Sequence, residues 1–151
     1  MSKKGIGTHI VCQVGIIVKD IKKTVEAYRD VFGFDEPRMV ESGTLEEAHT
    51  VYRGEPTKAR CKLAFFNVGP QLDIELIEPD EFPSTWREFL DNHGEGVHHI
   101  AFTVKDTDKV LAYFEGKGIP TVQKGDYPGG RYAYVDSFPQ LKVMIETLEN
   151  F

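Results

Sequence analysis

With 151 residues, about 40% of them hydrophobic, and a net charge of -6, the chain has the makings of one ordinary domain, or of two small halves sharing a core. No basic footprint marks it for nucleic acid, and charges of both signs scattered along it read as a solvated surface. No apolar run approaches the roughly 20 residues of a membrane span, and the start, Met1-Ser2-Lys3-Lys4-Gly5, has no apolar stretch long enough for a signal peptide.

Taken in order, residues 10–18 form an apolar run broken by Cys12, Gln13 and Gly15, and their β-branched content predicts a strand. Asp20 is placed to cap a helix in which Ile21, Val25, Tyr28, Val31 and Phe32 recur at helical spacing, with Gly33 as the stop. Residues 35–50 carry no clear period and read as loop plus a weak strand. Thr50–Arg53 and Ala59–Val68, separated by Gly54-Glu55-Pro56-Thr57, read as a hairpin, and Leu72–Glu78 as the next strand after a Gly69-Pro70 turn. Thr85-x-x-Glu88 resembles a capping box, opening a short helix with Trp86, Phe89 and Leu90 on one face and Gly94 at its end. Trp86 fits either a lid over a site or an anchor under that helix. His99–Val104 is then a strand. Asp106 caps a helix that buries Val110, Leu111 and Phe114 and ends at Gly116 and Gly118. Ile119–Gln123, Tyr132–Asp136 and Leu141–Leu148 are further strands, with turns at 126–130 and 137–140.

The order repeats. His99-Ile100-Ala101-Phe102-Thr103-Val104-Lys105-Asp106 lies over Gln13-Val14-Gly15-Ile16-Ile17-Val18-Lys19-Asp20, with apolar residues at the second, fourth and sixth positions and the same Val-Lys-Asp ending. The chain is therefore expected to hold two βαβββ modules, residues 8–79 and 97–149, joined by a linker helix over 80–96. The fold class is α+β, with the modules pairing into a barrel-like concave sheet and a cleft. Cys12 and Cys61, without a secretory signal, read as the reduced thiols of a cytoplasmic protein.

Strand parity then picks out a set of polar residues. Side chains alternate faces along a strand, so Glu75 projects opposite to Leu72, Ile74 and Leu76, and Glu146 opposite to Val143 and Ile145. Each module thus has a polar ligand at the start of its first strand, Gln13 or His99, and a Glu within its last. A carboxylate in an apolar strand is costly unless a charge compensates it. One divalent ion bound by Gln13, Glu75, His99 and Glu146 supplies that charge, and mixed N/O ligation with places for water suits Zn, Mn, Co, Ni or Fe. His98 is expected to point away from His99.

These residues resemble the vicinal oxygen chelate superfamily, which includes glyoxalase I, methylmalonyl-CoA epimerase, extradiol dioxygenases and fosfomycin or bleomycin resistance proteins. The resemblance covers nearly the whole chain. It implies paired βαβββ modules with a metal between them, on the positions matched by Gln13, Glu75, His99 and Glu146. Gln at the first position resembles eukaryotic-type zinc glyoxalases, and Gln13 to Phe34 nearly fits the glyoxalase signature, departing at Ala27. Ile17 stands where that subgroup has an Arg that holds a glutathione carboxylate, which predicts poor use of glutathione hemithioacetal. Gly94-Glu95-Gly96-Val97-His98-His99-Ile100 and Ile74-Glu75-Leu76-Ile77-Glu78-Pro79 resemble methylmalonyl-CoA epimerase, where the first ligand is normally His.

The resemblance implies a metal-dependent lyase or isomerase that moves a proton next to a polarised carbonyl of a small thioester or hemithioacetal, with Glu146 as base and Glu75 as its symmetry mate. Arg131, Tyr132 and Tyr134 are expected substrate contacts. The expected partners are a small-molecule substrate and a second copy of the chain in a homodimer, with neither nucleic acid nor membrane. A non-catalytic, resistance-type binding protein is the alternative. An extradiol dioxygenase fits less well, because a two-His-one-carboxylate iron triad needs a second His where Gln13 stands.

Overall fold

The computed structural model describes residues 5–151, so the expectation drawn from Met1-Ser2-Lys3-Lys4 lies outside the described residues. The elements run β1 (Val11–Ile17), α1 (Ile21–Phe32), β2 (Arg38–Glu41), α2 (Leu45–Ala48), β3 (Val51–Tyr52), β4 (Glu55–Pro56), β5 (Cys61–Gly69), β6 (Leu72–Pro79) and α3 (Thr85–His93). They continue with β7 (Gly96–Thr103), α4 (Thr107–Gly116), β8 (Thr121–Tyr127), β9 (Gly130–Val135), α5 (Phe138–Leu141) and β10 (Met144–Asn150). All the strands join one curled sheet, in the order β2-β5-β6-β1-β7-β10-β9-β8-β3-β4.

The repeat is visible in that order. β1 runs parallel to β6 and β7 parallel to β10, and the two first strands meet antiparallel at the centre. Both Val-Lys-Asp endings do the same work. Asp20 and Asp106 are extended (φ -136° and -140°), and each carboxylate accepts from the backbone N–H three residues on, Lys23 and Lys109. Gly33 closes α1 in a left-handed conformation at φ 68°.

The two long helices cover the convex face. Ile21 and Val25 of α1 pack with Val18, Ala64, Phe66 and Leu76, and Val110 and Phe114 of α4 pack with Val104, Val135 and Ile145. Helix α3 lies inside the curl. Its Trp86 joins Ile17, Cys61, Ile77, Val122 and Tyr134, with Phe89 and Leu90 alongside. Of the two readings of Trp86, the anchor is the one observed.

Several local expectations change. Val31 and Phe32 are 71% and 61% exposed, because α1 turns only its first two turns and Tyr28 towards the sheet. Residues 35–50 hold the short strand β2 and the one-turn helix α2, and the capping box is Thr44/Glu47. In α3 the cap is Ser84, which accepts from Arg87 N at 2.9 Å, one residue before Thr85. The expected hairpin of 50–53 with 59–68 does not form. β5 pairs instead with β2, while β3 turns back on β4 and adds to β8 at the far edge of the sheet. The segment around Leu141 is a helical turn, so the last strand begins at Met144.

Candidate metal centre

The central β1–β7 seam brings the four expected ligands together. Gln13 and Glu75 come from the neighbouring strands β1 and β6, His99 from β7 and Glu146 from β10. Ligand atoms of Glu75, His99 and Glu146 all lie within 4.8 Å of one another. His99 Nε2 is 2.9 Å from Gln13 Oε1, 3.0 Å from Glu146 Oε2 and 3.5 Å from Glu75 Oε1. All four side chains are buried, the carboxylates only 6% and 5% exposed. Ile17, Ile77 and Trp86 close one end of the concave face below them.

Room for the imidazole comes from Gly15, which pairs with His99 across the seam. A Cβ at Gly15 would fall within the ring of His99, so glycine is required there by space. Next to this pair the register shifts, with Gly15 opposite His99 but Ile16 opposite Val97, which leaves His98 as the extra residue of a β-bulge. The bulge defeats strict alternation and turns His98 inward, contrary to the sequence expectation. Its Nδ1 lies 2.9 Å from His99 Nδ1, and its Nε2 lies 3.0 Å from Thr85 Oγ1 on α3. When His99 Nε2 offers its lone pair to an ion, His99 Nδ1–H donates to His98, and His98 Nε2–H donates to Thr85. A metal-ligating histidine is commonly fixed through its other nitrogen in this way.

Burial sets the electrostatics. Glu75 is pushed well above the usual carboxylate range by burial first and by the charge of Glu146 next, with Arg38 opposing. Burial raises Glu146 to about 8, against a hydrogen bond from Tyr134. Burial also lowers His99 to about 3, and lowers His98 well below the usual imidazole range, with His99 as a smaller cause. The imidazole is therefore neutral, and its close contacts with the two carboxyls are not ion pairs. Both carboxyls favour being neutral here unless a positive charge enters.

The donor set fits a divalent cation. With its oxygen inward, Gln13 aims that atom at the same point as His99 Nε2 and the carboxyl oxygens of Glu75 and Glu146, so four potential ligand atoms converge. Turned over, the amide NH2 would have Glu75 Oε1 at 3.2 Å, Glu146 Oε2 at 2.8 Å and His99 Nε2 at 2.9 Å within reach as acceptors for its two N–H groups. The first orientation serves a bound ion and the second a metal-free centre. Two carboxylates would balance a 2+ charge, and one nitrogen with three oxygens suits Zn, Mn, Co, Ni or Fe.

The expected substrate contacts divide. Tyr134 pairs across the sheet with Glu146, and its hydroxyl accepts from Trp86 Nε1 at 3.0 Å. Tyr132 stands two residues along the same strand, its ring centroid 5.5 Å from that of Tyr134, and accepts from Gln123 Nε2 at 3.1 Å. Arg131 points the other way. It is bound to Glu149 at 2.9 Å and lies 3.6 Å from Asp108 of α4, on the helix-covered side of the sheet. Parity accounts for this, since Arg131 is one residue out of step with the two tyrosines. Sequence reasoning missed His98, Thr85 and Gly15. Of these only the lone glycine in an apolar strand gave a signal.

Residues 12–135 match the model of the Glyoxalase/Bleomycin resistance protein/Dioxygenase superfamily. The chain belongs to that superfamily. Within it the chain is 34% identical over 139 residues to uncharacterized protein YqjC of Bacillus subtilis (strain 168), covering 90% of this chain and 89% of that one. It is 27% identical over 142 residues to 2-epi-5-epi-valiolone epimerase of Actinomyces sp, covering 89% of this chain and 77% of that one. Among solved structures, a Streptomyces coelicolor methylmalonyl-CoA epimerase variant in complex with 2-nitronate-propionyl-CoA superposes with TM-score 0.64 at 25% identity, covering 93% of this chain and 96% of that one. Methylmalonyl-CoA epimerase from Mycobacterium tuberculosis shares the fold at TM-score 0.64 and 24% identity, covering 93% and 87%. Among the described residues no helix is long and apolar enough to cross a membrane.

Proposed function

We propose that the protein is a metal-dependent isomerase of the epimerase type, moving a proton on the carbon next to a carbonyl of a small thioester or ketone. The observation that carries this reading is the convergence of two buried carboxyls, one from each module, on a buried imidazole and an amide oxygen. Superfamily membership and the epimerase names of two similar proteins support it.

Gln13, Glu75, His99 and Glu146 would hold the ion, which when bound supplies Lewis-acid polarisation of a carbonyl oxygen. The protein does the rest. Glu146 takes the proton from carbon; burial raises its affinity for protons, and the charge of a bound ion would oppose that rise and keep it ionised and able to accept one. Tyr134 orients Glu146, and Trp86 in turn holds Tyr134. Glu75 comes from the opposite module, so a proton can be returned from the other side of the same carbon, which epimerisation requires. Burial of all four side chains excludes bulk water, which strengthens every electrostatic interaction inside. Ile17, fully buried under Trp86, offers no cation for a glutathione carboxylate. Glutathione hemithioacetal is therefore expected to turn over below the ordinary enzyme range of about 1–1000 per second.

Deuterium exchange tests the reading. Protein loaded in turn with Zn, Mn, Co and Ni is incubated in D2O with methylmalonyl-CoA and with 2-epi-5-epi-valiolone. Metal-dependent uptake of deuterium next to the carbonyl of one of them, abolished by chelation, is expected. Metal-dependent binding of both without exchange would instead favour a ligand-binding protein without chemistry.

A further inference from the structure

The sheet register extends the site beyond its ligands. Arg38 of β2 pairs with Phe65 of β5, Phe65 with Glu75 of β6, Glu75 with Gly15 of β1, and Gly15 with His99 of β7. These five residues form one row across five strands, and directly opposed residues share a face. The face is the concave one, because the neighbours of Phe65 on its strand, Ala64 and Phe66, belong to the core under α1. Two strand spacings separate Arg38 from Glu75, about 10 Å between Cα atoms.

The state of Arg38 is unlike that of the other arginines. The chain has six. Arg53, Arg87 and Arg131 each bind a carboxylate, and Arg29 and Arg60 each donate to a backbone carbonyl. Arg38 forms no ion pair among the described residues. Its guanidinium carbon instead lies 4.2 Å from the centroid of the Phe65 ring. Stacking orients a guanidinium while leaving its N–H edge free, and that edge matches a planar oxyanion in two parallel hydrogen bonds. Asp73, in the adjoining row, is engaged by Asn67 Nδ2 at 3.2 Å.

We propose that Arg38 is an oxyanion-recognising residue of this site, and that the substrate carries a carboxylate or phosphate a few atoms from its metal-facing carbonyl. The inference rests on the metal-centre reading above and narrows its substrate class. A stacked cation in the same row as Glu75 and His99 that forms no ion pair among the described residues, in a chain of net charge -6, is placed to take a ligand's charge.

The test is calorimetric titration of the Zn- or Mn-loaded protein with four probes. 2-Oxoglutarate carries a distal carboxylate and 2-oxo-4-phosphonobutyrate a distal phosphonate. The 5-methyl monoester of 2-oxoglutarate and pyruvate carry no distal anion. A charge-assisted hydrogen bond contributes about 1.5–3 kcal/mol, so at least one distal anion should bind about 10- to 150-fold more tightly than the monoester. Whichever distal anion gains more identifies the preferred group. Arg38→Gln should close that gap, and Arg38→Lys should keep part of it. Metal-dependent binding of pyruvate and the monoester with no gap, or a gap that survives in Arg38→Gln, overturns this proposal alone. Binding of all four probes that ignores chelation overturns the metal-centre reading, and this proposal with it.

Discussion

Removing the metal should reverse the way stability depends on pH. In the metal-free protein Glu146 holds its proton up to about pH 8, against 4.5 for the ordinary side chain. Stability from that proton is present below pH 4.5 and is lost as pH rises towards 8. His99 works in the opposite direction. Its folded value of about 3 lies below the ordinary 6.5, so its contribution is present above pH 6.5 and is lost as pH falls towards 3, and His98 acts with the same sign. The effects oppose one another between pH 4.5 and 6.5. Above 6.5 only the carboxyl contribution remains, spanning about 1.5 pH units, or about 2 kcal/mol at about 1.36 kcal/mol per unit. Glu75 adds to it in the same direction. Urea unfolding of chelated protein at pH 6.5, 7.25 and 8 should therefore show stability falling by about 2 kcal/mol or more. Metal-loaded protein should gain stability over the same interval, because the ion binds the ionised carboxylates of the folded state. A chelated protein whose stability is flat or rising from pH 6.5 to 8 would refute the burial argument for Glu146 and Glu75.

Other expectations follow from single side chains. Glu146→Gln keeps an oxygen for the metal but cannot accept a proton. Turnover of the true substrate should fall about 100- to 10,000-fold with metal content unchanged; unchanged turnover removes Glu146 from the mechanism, and a matching loss in Glu75→Gln would mark a two-base epimerase. His98→Phe removes the partner of His99 Nδ1, so competition with a chelator should show metal affinity about 10- to 100-fold weaker; full affinity would contradict the tautomer assignment. Gly15→Ala puts a methyl group where the His99 ring lies. It should cost about 1–3 kcal/mol in urea unfolding and abolish stoichiometric metal binding, and retention of the ion would show that the ring has another place to go.

What was legible in the chain was whatever repeated or alternated. The doubled Val-Lys-Asp became two equivalent helix caps, and parity within β6 and β10 aimed Glu75 and Glu146 at one point. What was not legible depended on contacts between distant segments. β3 and β4 are two residues each, too short to carry a period, and their attachment to β8 is fixed by tertiary contacts alone. His98 was misread because a bulge is a property of two paired strands, and one strand's alternation cannot report it. Arg131 was misjudged for the opposite reason, since parity with Tyr132 and Tyr134 already set it on the other face. Phe32 followed the helical period, but it is 61% exposed and its ring stacks on Phe34 rather than entering the core.

The central claim is that Gln13, Glu75, His99 and Glu146 hold a divalent ion between the two modules. X-ray absorption at the metal edge of Zn-loaded protein, with elemental analysis, tests it most directly. The account predicts one ion per chain, with a first shell of oxygens and a single imidazole nitrogen, lost in His99→Ala. A sulfur in that shell, from Cys12 or Cys61, or stoichiometric metal retained in His99→Ala, would contradict it.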